Sequence, residues 1–96
     1  MDRIEAETRS LGQVIARRNY LLAVWAGRQL DLKAGDLPAY VDAVMQSDFE
    51  EPGPHDVVRK LEADFRKRGK PVDRRKLLRQ LIALENSARA ELLNTD

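Results

Sequence analysis

Apolar positions recur along this chain at helical spacing in four stretches, each closed by residues that break helices. No proline occurs over residues 2–32, where Ile4, Leu11, Val14, Ile15, Leu21, Leu22, Trp25 and Leu30 follow a period near 3.6. The pattern is weak before Leu11, where polar residues dominate and Gly12 interrupts, and strong from Val14 onward. It predicts a long first helix with a frayed or disordered start, ended by Ala34-Gly35 with Gly35 as its C-terminal cap. Asp36 then reads as an N-cap with Pro38 in the first turn of a short second helix. Its apolar face is Leu37, Tyr40, Val41, Val44 and Met45, and it stops near Ser47 or Asp48. Val57, Val58, Leu61 and Phe65 mark a third helix, closed by Gly69 and Pro71. Asp73 caps a fourth, with a stripe of Leu77, Leu78, Leu81, Ile82, Leu84, Ala88 and Leu92. No strand-like alternation and no internal repeat appears.

The densest cluster of breakers, Asp48-Phe49-Glu50-Glu51-Pro52-Gly53-Pro54, lies near the middle of the chain. Proline lacks an amide hydrogen and restricts the residue before it, so Pro52 and Pro54 stop the arriving helix. Pro54 suits the first turn of the next one, with Gly53 as N-cap and Asp56 at about the third position, facing the positive end of the dipole. Phe49 is expected to turn inward. Turn chemistry explains every residue, so Asp48, Phe49, Glu50, Glu51, Pro52 and Gly53 read as a structural hinge rather than a catalytic loop.

Short connections favour antiparallel neighbours, which makes the fold an all-α, small four-helix bundle with a long first helix. Laying the first helix against the second puts Arg17 and Arg18 beside the hinge and predicts ion pairs with Asp48, Glu50 and Glu51. The same geometry leaves residues 1–16 as a mobile or overhanging N-terminal segment, with residues 17–96 as the bundle domain. An untied terminus is the commoner case for such an overhang; if it instead awaits a partner, the binding residues are Ile4, Leu11, Val14, Ile15, Arg17 and Arg18.

Ninety-six residues make one domain, which buries about 60–65% of its unfolded surface. With 43% hydrophobic but only 5% aromatic residues, the core is Leu, Val, Ile and Ala, and Trp25 reads as part of it. Cysteine is absent, which excludes disulfides, thiolate metal sites and a cysteine nucleophile. No stretch has signal-peptide or membrane-spanning character, so the expectation is a soluble cytoplasmic protein without membrane insertion, a monomer when free.

The net charge of +1 hides an asymmetry: residues 1–58 sum to −4 and residues 59–96 to +5. Arg66, Arg68, Lys70, Arg74, Arg75 and Lys76 form a candidate anion-binding stretch, within a basic run over residues 66–79. Arg74, Arg75 and Lys76 would oppose the dipole at a helix start. No aromatics interleave these cations and no reading helix stands out. A solvated charged turn is favoured over a nucleic-acid surface, and a basic adaptor for nucleic acid or another polyanion is the alternative function.

His55 stands near Glu50, Glu51 and Asp56, but in no known ligand spacing, so it reads as an exposed histidine and no metal site is assigned. Ser10, Ser47 and Ser87 lack the setting of a nucleophile, and no glycine-rich phosphate loop occurs. No catalytic residue is identified, and the chain is not read as an enzyme.

Two strings in combination carry a family resemblance. Ala16-Arg17-Arg18-Asn19-Tyr20-Leu21-Leu22-Ala23-Val24-Trp25-Ala26, followed by Ser47-Asp48-Phe49-Glu50-Glu51-Pro52-Gly53 and Asp56-Val57-Val58-Arg59-Lys60, resembles the zeta subunit family. That family inhibits the F-type ATP synthase of alphaproteobacteria. The similarity covers roughly residues 16–69, and more loosely the fourth helix. The resemblance implies a four-helix bundle and a regulatory protein that binds the catalytic head of the F-type ATP synthase and inhibits ATP hydrolysis. It implies an N-terminal segment that becomes helical as it inserts at a catalytic interface, a location peripheral to the inner membrane, no cofactor, and weak ADP or ATP binding. Typical members carry a longer, phenylalanine-bearing N-terminal segment and a lysine where Tyr20 stands. Residues 1–16 hold no phenylalanine, so a shortened inhibitory element and a diverged paralogue with weakened inhibition are expected.

Overall fold

The computed structural model describes residues 3–47 and 54–93. Four helices run through them, α1 (Arg3–Gln29), α2 (Leu37–Ser47), α3 (His55–Lys67) and α4 (Arg74–Leu93), with no strand among the described residues. α1 packs against both α2 and α4, α2 against α3, and α3 against α4, which closes the ring of a four-helix bundle. The hinge residues Asp48, Phe49, Glu50, Glu51, Pro52 and Gly53 lie outside the described residues, as do the ion pairs expected there.

The apolar stripes meet as their spacing requires. Leu22, Ala23 and Ala26 of α1, Leu30 in the turn that follows it, Val41 and Val44 of α2, Val57, Val58, Leu61 and Phe65 of α3, and Leu77 and Leu81 of α4 form one buried core. Each fully buried leucine among them contributes on the order of 2 kcal/mol relative to exposure. Gly27 lies where α1 approaches α2: a β-carbon there would press on the tip of the Leu37 side chain, which would have to shift. Trp25 is only half-buried, packed on Phe65 with ring centroids 6.0 Å apart. Ile82, expected in the stripe of α4, is 56% exposed. Its neighbour Leu81 takes the inward position, and one residue further round a helix is a turn of about 100° away from it.

The helix ends follow backbone chemistry, with two differences from the sequence reading. α1 stops at Gln29, not near Gly35. Asp31 takes φ 60°, Leu32 N–H donates to the Gly27 carbonyl at 3.0 Å and Asp31 N–H to Arg28 at 3.1 Å. That is a Schellman closure with Asp31 in the position usually held by glycine. α3 repeats it with Gly69 at φ 72°: Lys70 N–H donates to Phe65 at 2.9 Å and Gly69 N–H to Arg66 at 3.0 Å. The N-cap of α3 is Pro54 rather than Gly53, which places Asp56 at the second helical position. Asp73 caps α4 as expected, its carboxylate accepting from Arg75 N–H at 3.0 Å.

At 27 residues α1 is about 40 Å long, the longest of the four described helices. α2, with 11 residues, spans less than half of it.

Candidate functional site

The root of the projecting half of α1 is held by α4. Arg18 is 4% exposed and Asn19 1%. Arg18 Nε donates to Asn19 Oδ1 at 3.0 Å and Nη1 to Glu85 Oε1 at 3.1 Å. Glu85 also receives Arg89 from the next turn of α4. Arg17 faces outward, pairs with Glu91 at 2.8 Å, and stacks its guanidinium 5.4 Å from the centre of the Tyr20 ring. No buried side-chain nitrogen or oxygen among the described residues lacks a partner.

The expected partner-binding residues therefore divide. Leu11 is 52% exposed, Ile15 is half-buried and Arg17 is exposed. Val14 and Arg18 are turned into the bundle and offer nothing to a partner in this arrangement. Ile4 lies in the first turns of α1. Of the expected set with described side chains, this leaves Leu11, Ile15 and Arg17 at or near the surface.

Beyond that root, the outer face of α1 carries Tyr20, Leu21, Val24 and Trp25. Together with Gln80 and Leu84 of α4 they line an open groove of about 590 Å³.

The opposite end of the bundle is basic. Arg66, Arg68, Arg75 and Lys76 are exposed. The other two members of the anion-binding stretch serve the fold. Lys70 Nζ reaches the Gln29 carbonyl at 3.2 Å and the Asp31 carboxylate, tying the end of α3 to the end of α1. That hydrogen bond, with the charges of Lys70 and Arg68, holds the Asp31 carboxyl below its ordinary range. Arg74 pairs with Glu62 at 2.7 Å. Between α2 and α3, Tyr40 donates its hydroxyl to Asp64 at 2.8 Å, and Lys60 pairs with Asp64 at 3.0 Å. Burial, and then the bond to Asp64, pushes the Tyr40 phenol far above its ordinary value.

His55 is exposed at the start of α3. The described residues contain no group of three His, Asp or Glu able to hold a metal ion, and Asp56 instead pairs with Arg59. None of the described helices is long and apolar enough to cross a membrane.

Comparison with families of known proteins adds the deciding observation: the sequence model of ATPase inhibitor subunit zeta matches residues 5–91. The chain belongs to that family. Comparison with curated proteins and with solved structures gives no match.

In this zeta-family chain the Arg-Arg-Asn run splits into two jobs. Arg18, held by Asn19, locks α1 to α4, while Arg17 and Tyr20 remain at the surface. Sequence reasoning missed Glu85 and Glu91 because it placed Arg17 and Arg18 by the register of α1 on α2. The signal was available: a first helix of this length also needs α4 as its antiparallel neighbour, and Glu85 and Glu91 are the only carboxylates of α4. The Tyr40–Asp64 bond had no comparable signal.

Proposed function

We propose that this zeta-family chain binds the catalytic head of an F-type ATP synthase and inhibits its ATP hydrolysis, without catalysis of its own. The observation that carries the reading is the family match across residues 5–91. The geometry is compatible with it: α1 outruns α2, and Leu11 presents an apolar side chain, 52% exposed, that the bundle leaves uncovered. The N-terminal segment, residues 1–16, is the contact segment, and residues 17–96 are the docking body. The protein works in the cytoplasm, peripheral to the inner membrane through its partner. The test is ATP hydrolysis by the cognate head with the protein titrated in. Saturable inhibition is expected; a result showing neither inhibition nor co-purification removes the function and leaves the fold.

A second reading has its own observation. Arg66, Arg75 and Lys76 are exposed at one end of the bundle and make no ion pair among the described residues. A basic adaptor would use them on a polyanion. Gel-shift at low and moderate salt, with all three changed to Ala, decides it: unchanged retention eliminates the adaptor.

A further inference from the structure

The groove between α1 and α4 is a surface of different character from the projecting segment. Its floor is apolar: Leu21, Val24 and Trp25 of α1 and Leu84 of α4, all half-buried. Tyr20, 44% exposed, stands at one end, and exposed Arg28 at the other. Tyrosine, tryptophan and arginine are the residues that most often dominate binding energy at protein interfaces. Here the only tryptophan of the chain and one of its two tyrosines share one shallow channel.

The shape and charge of the channel select an occupant. It runs along two antiparallel helices, with no strand edge for an extended peptide to pair with. From Tyr20 to Gln29 it is about 13 Å long at 1.5 Å per residue, a span matched by two to three turns of a third helix laid in the groove. The bundle neutralises Arg17 through Glu91, but Arg28 makes no ion pair among the described residues. A carboxylate on the incoming helix would complete it.

We propose that this groove is a second docking site, which receives an amphipathic helix of the catalytic head. That helix carries apolar residues at i and i+3 or i+4 and an Asp or Glu opposite Arg28. The inference rests on the function proposed above and adds a contact that the projecting segment does not make. The site anchors the body, while α1's leading turns make the inhibitory contact.

The test uses the full chain, with Trp25 labelled as 5-fluorotryptophan, and the isolated head. Wild-type affinity is measured beside Tyr20→Ala/Arg28→Glu, whose side chains are exposed so that folding is preserved, as a matched melting temperature confirms. Binding weakened about ten-fold or more, with a fluorine shift on adding the head to wild type, is the expected result. Equal affinity of variant and wild type with an unmoved fluorine signal overturns the groove and leaves the inhibitor reading standing. Absence of wild-type binding removes both. A fluorine shift that follows dilution of the protein alone assigns the groove to a second copy of this chain and also overturns the proposal.

Discussion

Replacing Glu85 by alanine strands the Arg18 guanidinium inside the bundle with only Asn19 as partner. A fully enclosed pair broken in this way costs about 3–5 kcal/mol. Glu85 keeps a 29% exposed side chain, so water can partly replace it, and the expected loss is about 2–3 kcal/mol in urea unfolding. Arg18→Met combined with Glu85→Leu should recover most of that loss, because the desolvation cost disappears with the charges. Glu91→Ala is the control: its pair with Arg17 is 42% and 49% exposed and should cost well under ~1 kcal/mol. Tyr40 supplies a pH test. Its phenol ionises only far above the unfolded value near 10, so the folded state holds a proton that the unfolded state releases. That contribution is complete below pH ~10 and is lost as pH rises beyond it. Tyr40→Phe should lose about 1 kcal/mol at neutral pH and show a shallower fall in stability above pH 10 than wild type. An identical alkaline slope for the two proteins would contradict this assignment.

The helix ends carry the next scale. Gly69 ends α3 at φ 72° with open space where a β-carbon would point. Gly69→Ala therefore meets no neighbour, and its cost is backbone strain of about 1–2 kcal/mol, read as a lower melting temperature. Asp31 does the same duty at the end of α1 with a side chain on it. Asp31→Gly is expected to hold or raise the melting temperature despite losing Lys70, whereas Asp31→Val should lower it, since a branched side chain tolerates this conformation least. The difference between the two loops explains what was legible at this scale. Glycine announces its left-handed turn, so the end of α3 was readable from Gly69-Lys70-Pro71. An aspartate in the same conformation announces nothing, and Gly35 drew the expected cap four residues too far along.

Taken whole, the molecule is a bundle with one helix too long for its neighbours. α1 is covered by α2 and α4 over its second half, and its leading turns extend past α2. Hydrogen exchange should follow that geometry. Amides of α1 from Val14 to Gln29 are expected to be protected close to the global unfolding limit, and those ahead of Leu11 far less, with protection rising when the catalytic head is added. Uniform protection along α1 in the free protein would rule out residues 1–16 as a segment that gains its order from a partner.

The four helices and most of the buried faces follow from the chain alone, because a helix dictates which residues share a side before it touches anything. Val44, Val57, Leu61 and Leu77 were identifiable on spacing, and Asp73 on capping chemistry. The partner of each face is a different matter. Whether Arg18 meets the hinge or α4, whether Trp25 is sealed in or left lining a groove, and whether Tyr40 finds Asp64 depend on how helices distant in sequence are set against each other. That register is decided by the sum of many small contacts, and no local run of residues encodes it.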